Sequence, residues 1–65
     1  MKDYQQRVVD ERAELAAKHD RLIGFSQGDV FHALPAEEQV LLSWQSSVMA
    51  AYLSVLARRI SLFKE

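Results

Sequence analysis

The sequence predicts an all-α fold: an antiparallel two-helix hairpin assembled into a symmetric homo-oligomer. Three observations carry that expectation. A charge-dense first segment with helical periodicity runs to Gly24, Pro35 marks a second break, and the run from Val40 to Ala57 goes eighteen residues without a charge in a chain that is 26% charged. With 65 residues the chain is one domain, read as a helix over 3–23, an ordered turn over 24–34 and a helix over 35–63. A domain this small hides only about 60% of the surface its unfolded form exposes. There is no cysteine for a disulfide and there are only two histidines, His19 and His32, for a structural metal, so association of copies is the remaining route to stability.

The first helix carries five basic and five acidic residues between Lys2 and Arg21. Asp3 is placed to cap it, with Gln6 three positions later as a capping box requires. Asp3 with Arg7 and Glu14 with Lys18 are acid-before-base pairs at i, i+4, each worth roughly 0.2 to 0.5 kcal/mol. Gly24 supplies a left-handed stop, with Phe25 folding back on the last turn. At about 100° per residue, Tyr4, Val8, Leu15 and Leu22 share a stripe, flanked by Val9, Ala16 and Ile23. Arg12 and His19 interrupt that apolar face.

In the turn, Gly28 and Asp29 signal a reversal, and Phe31 and Leu34 offer anchors. Pro35 sets φ for a first helical turn and disfavours helix at Leu34. Glu37 and Glu38 then place negative charge at the positive end of the next helix dipole. The second helix is expected to pack through a heptad seam of Leu42, Gln45, Met49, Tyr52, Leu56, Arg59 and Phe63. Val40, Trp44, Val48, Ala51, Val55 and Leu62 form a second apolar stripe, roughly 100° round from it. One antiparallel partner helix can cover one stripe and not both.

Length alone nominates the uncharged run as a membrane span, which takes roughly 17 to 25 apolar residues. Its content argues otherwise: Ser43, Gln45, Ser46, Ser47 and Ser54 are polar, and a lone amide in lipid is costly. The expectation is a soluble hairpin, with the second helix facing both its own first helix and neighbouring subunits. Nothing at the amino terminus resembles a secretory signal, which with the absent cysteine predicts a cytoplasmic protein. A net charge of −1 argues against a duplex nucleic-acid partner.

Catalysis has little support. Ser26, Asp29 and His32 lie close in sequence without any motif that orders a nucleophile and a base. No histidines stand at metal-ligand spacing, so neither a cofactor nor a metal is expected. The groups that the helical pattern aims at interfaces are Tyr4, Arg12 and His19 on the first helix and Tyr52 and Arg59 on the second. One account pairs Arg12 and Arg59 with Glu38 or Glu11 and packs the tyrosines in the seam. The other uses aromatic faces to stack bases and guanidinium groups to hold phosphates between subunits.

The spaced set Tyr4, Arg7, Val8, Glu11, Glu14, Leu15 and Lys18, then Phe25, Phe31 and Leu34, then Gln45, Met49, Tyr52, Leu56, Arg59 and Ile60, resembles a phage hairpin-domain family. Its members include sponges that sequester the cyclic nucleotide signals of bacterial CBASS and Thoeris defence. The resemblance implies a hexamer that binds cyclic dinucleotides between paired protomers and cyclic trinucleotides near a three-fold axis, without catalysis. It also implies a site in which Tyr4 stacks a base, Lys18 meets phosphate, Gly24, Ser26 and Gly28 offer turn backbone, and Arg59 contributes from the second helix. Of these, Tyr4 and Arg59 are also where the helical pattern points; Arg12 comes from that pattern alone. His19 stands where relatives carry an aliphatic residue, and the turn from Gly24 to Leu34 has no lysine or arginine. The rival expectation is a small oligomeric interaction module whose polar residues only fix helix register.

Overall fold

Three helices follow one another in the computed structural model, which describes residues 2–64: α1 (Asp3–Ser26), α2 (Asp29–Ala33) and α3 (Ala36–Ser61). Among the described residues there is no strand. Tyr4 meets Phe63 and Gln5 meets Lys64 at one end, while His19 meets Ser46 further along. The pairings run in opposite directions along the two long helices, so α1 and α3 form the expected antiparallel hairpin. It is a rod of 49 × 14 × 13 Å.

The start of α1 differs in detail from the expected capping box. Lys2 is the cap residue, and its backbone N–H donates to Oε1 of Gln5 at 2.9 Å. Gln6 lies one position too far along for that role; its side-chain amide donates to Asp10 Oδ1 at 2.9 Å instead. Asp3 still sits in the first turn, where its charge favours the exposed helical amides.

Gly24 does not stop the helix. α1 continues to Ser26, and no described residue has a left-handed φ. The end is closed by short turns: Gln27 N–H donates to the Gly24 carbonyl at 3.3 Å, and Gly28 N–H to that of Phe25 at 3.1 Å. Those bonds satisfy carbonyls that a left-handed cap would otherwise serve. A Cβ at Gly24 would meet nothing within 4 Å, so neither its backbone angles nor its surroundings require glycine.

The expected ordered turn contains α2. Phe25 and Phe31 meet edge to face with centroids 6.2 Å apart, and burial of Phe31 holds the short helix against the end of the hairpin. His32 Nδ1 donates to the Gly28 carbonyl at 2.8 Å. The Gln39 side-chain amide then ties α3 back to the turn by donating to the carbonyls of Leu34 at 2.8 Å and His32 at 3.2 Å. Leu34 is extended, as the residue before proline is expected to be, and Pro35 caps α3 rather than entering its first turn. α3 ends at Ser61, after which the amides of Leu62 and Phe63 close turns onto the carbonyls of Arg59 and Ile60, each at 3.1 Å.

The seam of α3 is the main correction to the sequence reading. Leu42, Met49, Leu56 and Phe63 face α1 as expected, but the positions between them are Ser46, Leu53 and Ile60, whereas Gln45, Tyr52 and Arg59 are exposed. Both alternations of three and four residues pass through the same four anchors. Burying Leu53 and Ile60 costs nothing in polar desolvation, while burying the Gln45 amide, the Tyr52 hydroxyl and the Arg59 charge would. On α1, Val8 is buried and Leu15 and Leu22 are half-buried; Tyr4 and Arg12 are exposed, and His19 stays in the seam by sharing a 3.1 Å hydrogen bond with Ser46 Oγ.

With the seam turned this way, the second stripe lies nearly opposite it rather than beside it. Val40, Trp44, Val48, Ala51, Val55 and Leu62 are all exposed, together with Leu41. A single hairpin therefore leaves one whole apolar face of α3 uncovered. By length and composition α3 is also long and apolar enough to cross a membrane.

Candidate functional site

The hairpin sorts the expected site residues by position along the rod. Tyr4 stands in the first turn of α1 and Arg59 in the last turn of α3, which the antiparallel packing brings to the same, open end. Phe63 follows Arg59 by one helical turn and meets the Tyr4 ring edge to face, with centroids 5.8 Å apart and planes at 81°. Tyr4 remains 54% exposed. The open end therefore presents an aromatic ring held by a second ring, with a cationic side chain about one turn of helix away.

Gly24, Ser26 and Gly28 lie at the opposite, closed end. Twenty helical residues at 1.5 Å each put Gly24 about 30 Å from Tyr4. Ser26 Oγ donates to the Ile23 carbonyl at 2.8 Å, so its hydroxyl proton is engaged while its oxygen can still accept. The Gly28 amide donates to Phe25 and its carbonyl accepts from His32; the backbone of Gly28 is occupied on both sides. Arg12 and Lys18, both exposed, lie between the two ends, about 12 and 21 Å along α1 from Tyr4. Within one chain the structure thus brings together Tyr4 and Arg59 at one end and the turn residues at the other, and does not join the two sets.

The suggested pairing of Arg59 with Glu38 is ruled out within one hairpin, because about 31 Å of α3 separates them. Arg12 is also remote from Glu38: the helix pairing sets it level with the middle of α3, about 22 Å along that helix from Glu38. Tyr52 is exposed and not a seam residue, and Tyr4 touches Phe63 at the seam's edge while most of its ring stays exposed. The exposed parts of Tyr4, Arg12, Tyr52 and Arg59 are open to a ligand or to another subunit.

Two features were not read from the sequence. Gln5 is 1% exposed, one of the two most deeply buried side chains; its place three residues before Val8 on the seam stripe was the available signal. At the closed end a shallow groove is lined by Phe31, Ala36, Gln39, Val40, Ser43 and Trp44. It opens directly onto the uncovered face of α3. Among the described residues no three or more His, Asp or Glu side chains are grouped to hold a metal ion.

No curated protein and no solved structure matches the chain closely. The Sequestin family model, however, matches residues 2–62. That span takes in α1, α2 and all of α3, and so the chain belongs to the Sequestin family.

Proposed function

We propose that this protein captures cyclic di- or trinucleotides between copies of itself and removes them from solution without chemical change. The observation that carries the reading is the open end, where an exposed Tyr4 ring is steadied by Phe63 and Arg59 stands one helical turn before Phe63. A flat, anionic, aromatic ligand needs both kinds of group: a π-face for each base and a guanidinium for phosphate. The family name, which denotes sequestration, agrees with capture rather than turnover.

Assembly would complete the site. When two rods pair antiparallel, the open end of one lies beside the closed end of the other. Tyr4 and Arg59 of one protomer then face Lys18, Gly24, Ser26 and Gly28 of its partner, and a two-fold axis repeats the arrangement. The uncovered face of α3 supplies the apolar area for this pairing and for further association into a hexamer, whose three-fold axis would offer a place for cyclic trinucleotides. On this reading α3 meets other copies and not lipid, and the protein works in the cytoplasm of an infected bacterium as a phage anti-defence factor. The same apolar face would also serve an interaction module with no small ligand, and ligand binding separates the two readings.

Tyr4→Ala is expected to weaken binding by about 1 to 3 kcal/mol, the scale of one base–aromatic stack. Arg59→Ala is expected to cost about 1.5 to 3 kcal/mol for the ligand class it contacts, the scale of a hydrogen bond to a charged group. Titration calorimetry on variants that keep the parent sedimentation coefficient measures both effects. Ligand recovered chemically intact after proteolysis of the complex supports sequestration; recovery of a hydrolysed product would make the protein an enzyme.

A further inference from the structure

We propose that Gln5 is a positioning residue: by bridging the two chain ends it sets Tyr4 against Phe63 and so orients the ring on which the ligand would stack. The role in ligand binding rests on the sequestration reading; the bridge itself does not.

Burying a glutamine in so thin a rod needs a cause. A leucine or methionine at the same seam position would add apolar burial and carry no desolvation penalty. Gln5 is instead 1% exposed, beside a seam whose deepest members are Val8 and Leu56. Both halves of its amide are used. Oε1 accepts the Lys2 backbone N–H at 2.9 Å, and Nε2 donates to the Lys64 carbonyl at 3.4 Å. Lys64 lies beyond the end of α3, where no further helical turn supplies a donor for its carbonyl. No buried side-chain nitrogen or oxygen among the described residues is left without a partner.

The bridge has a direct geometric consequence. Gln5 is the sequence neighbour of Tyr4, and Lys64 is the neighbour of Phe63, so tying one to the other fixes how the two rings meet. The edge-to-face contact at 5.8 Å and 81° is the result. An apolar side chain at position 5 could hold the helices together equally well, but it has no directional bond with which to hold Phe63 and Lys64 against the first turn of α1.

Nuclear magnetic resonance of the unmodified and Gln5→Met proteins tests this without any ligand. The unmodified protein is expected to show nuclear Overhauser contacts from the Gln5 side-chain amide to Lys64 and between the Tyr4 and Phe63 rings. Gln5→Met is expected to keep its helix content and its assembly while losing the ring-to-ring contacts. Absence of the Gln5–Lys64 contact in the unmodified protein overturns the proposal even if the variant fails to fold, and ring contacts unchanged in a folded Gln5→Met do so as well. For binding, cyclic di-AMP is the probe. Gln5→Met should weaken its binding about tenfold, yet add nothing further in a Tyr4→Ala background, because it acts through that ring. Equal losses in both backgrounds would mean general destabilisation and would overturn the positioning role. If the unmodified protein does not bind cyclic di-AMP, the sequestration reading fails for that ligand, and the ring contacts still decide what Gln5 does.

Discussion

Trp44→Glu is expected to dissociate the assembly while leaving the hairpin helical. Trp44 is 66% exposed in the isolated hairpin and stands in the middle of the uncovered α3 face, beside Val40, Val48 and the closed-end groove. Replacing it therefore removes little packing within the chain. Between the proposed subunits the loss would be large, because burying an aromatic side chain is worth about 3 kcal/mol and a carboxylate brought into an apolar interface adds a desolvation cost. Association should weaken by more than about a hundredfold per contact. Sedimentation velocity should show the unmodified protein as a species larger than a dimer and the variant as a smaller one, with circular dichroism per residue retained. Equal loss of helix and assembly would place Trp44 in a core. Unmodified protein that stays monomeric and floats with liposomes would assign the apolar face to lipid.

Leu56→Ala acts on the other face of the same helix and should have the opposite signature. Leu56 is fully buried against α1, and truncating a buried leucine to alanine costs about 2 to 5 kcal/mol. Domains of this length have about 3 to 10 kcal/mol to lose. The variant should melt at least about 8 °C lower, at about 4 to 8 °C per kcal/mol, or fail to fold at dilute concentration. Because association of copies, where it occurs, stabilises the folded chain by mass action, both proteins must be compared at one concentration. Tyr52→Ala is the control: Tyr52 belonged to the expected seam but is exposed, so its loss should leave hairpin stability nearly unchanged.

That contrast shows what was legible in the residues and what was not. Helix existence, the break before Pro35, the antiparallel hairpin and the presence of a second apolar stripe all follow from periodicity and turn chemistry. The phase of the seam does not, because Leu42, Met49, Leu56 and Phe63 satisfy two alternations at once; the choice between Tyr52 and Leu53 rests on desolvation against α1. Gly24 looked like a helix stop because glycine permits a left-handed residue, yet the chain closes α1 with short turns and needs no such residue. Gln5 escaped notice for a related reason. A glutamine near a helix start reads as surface, and only the position of Lys64, fifty-nine residues away, gives its amide a reason to be buried.

The candidate site was legible in part. Tyr4 and Arg59 were singled out from helical faces and do lie at the same end of the rod, where Phe63 is the unread support of the Tyr4 ring. Lys18, Gly24, Ser26 and Gly28 came from family resemblance, and a single hairpin keeps them about 20 to 30 Å from Tyr4. Whether they join it is a property of the assembly, which periodicity within one chain cannot encode.

Titration calorimetry of the unmodified protein with a panel of cyclic dinucleotides, cyclic trinucleotides and cyclic ADP-ribose isomers tests the central claim most directly. The account predicts saturable binding of at least one cyclic di- or trinucleotide at a fixed ratio to subunits, with the matching linear dinucleotide bound more weakly because it is not pre-shaped to the site. No binding to any member of the panel by the assembled, folded protein would contradict it and leave an oligomeric interaction module in its place.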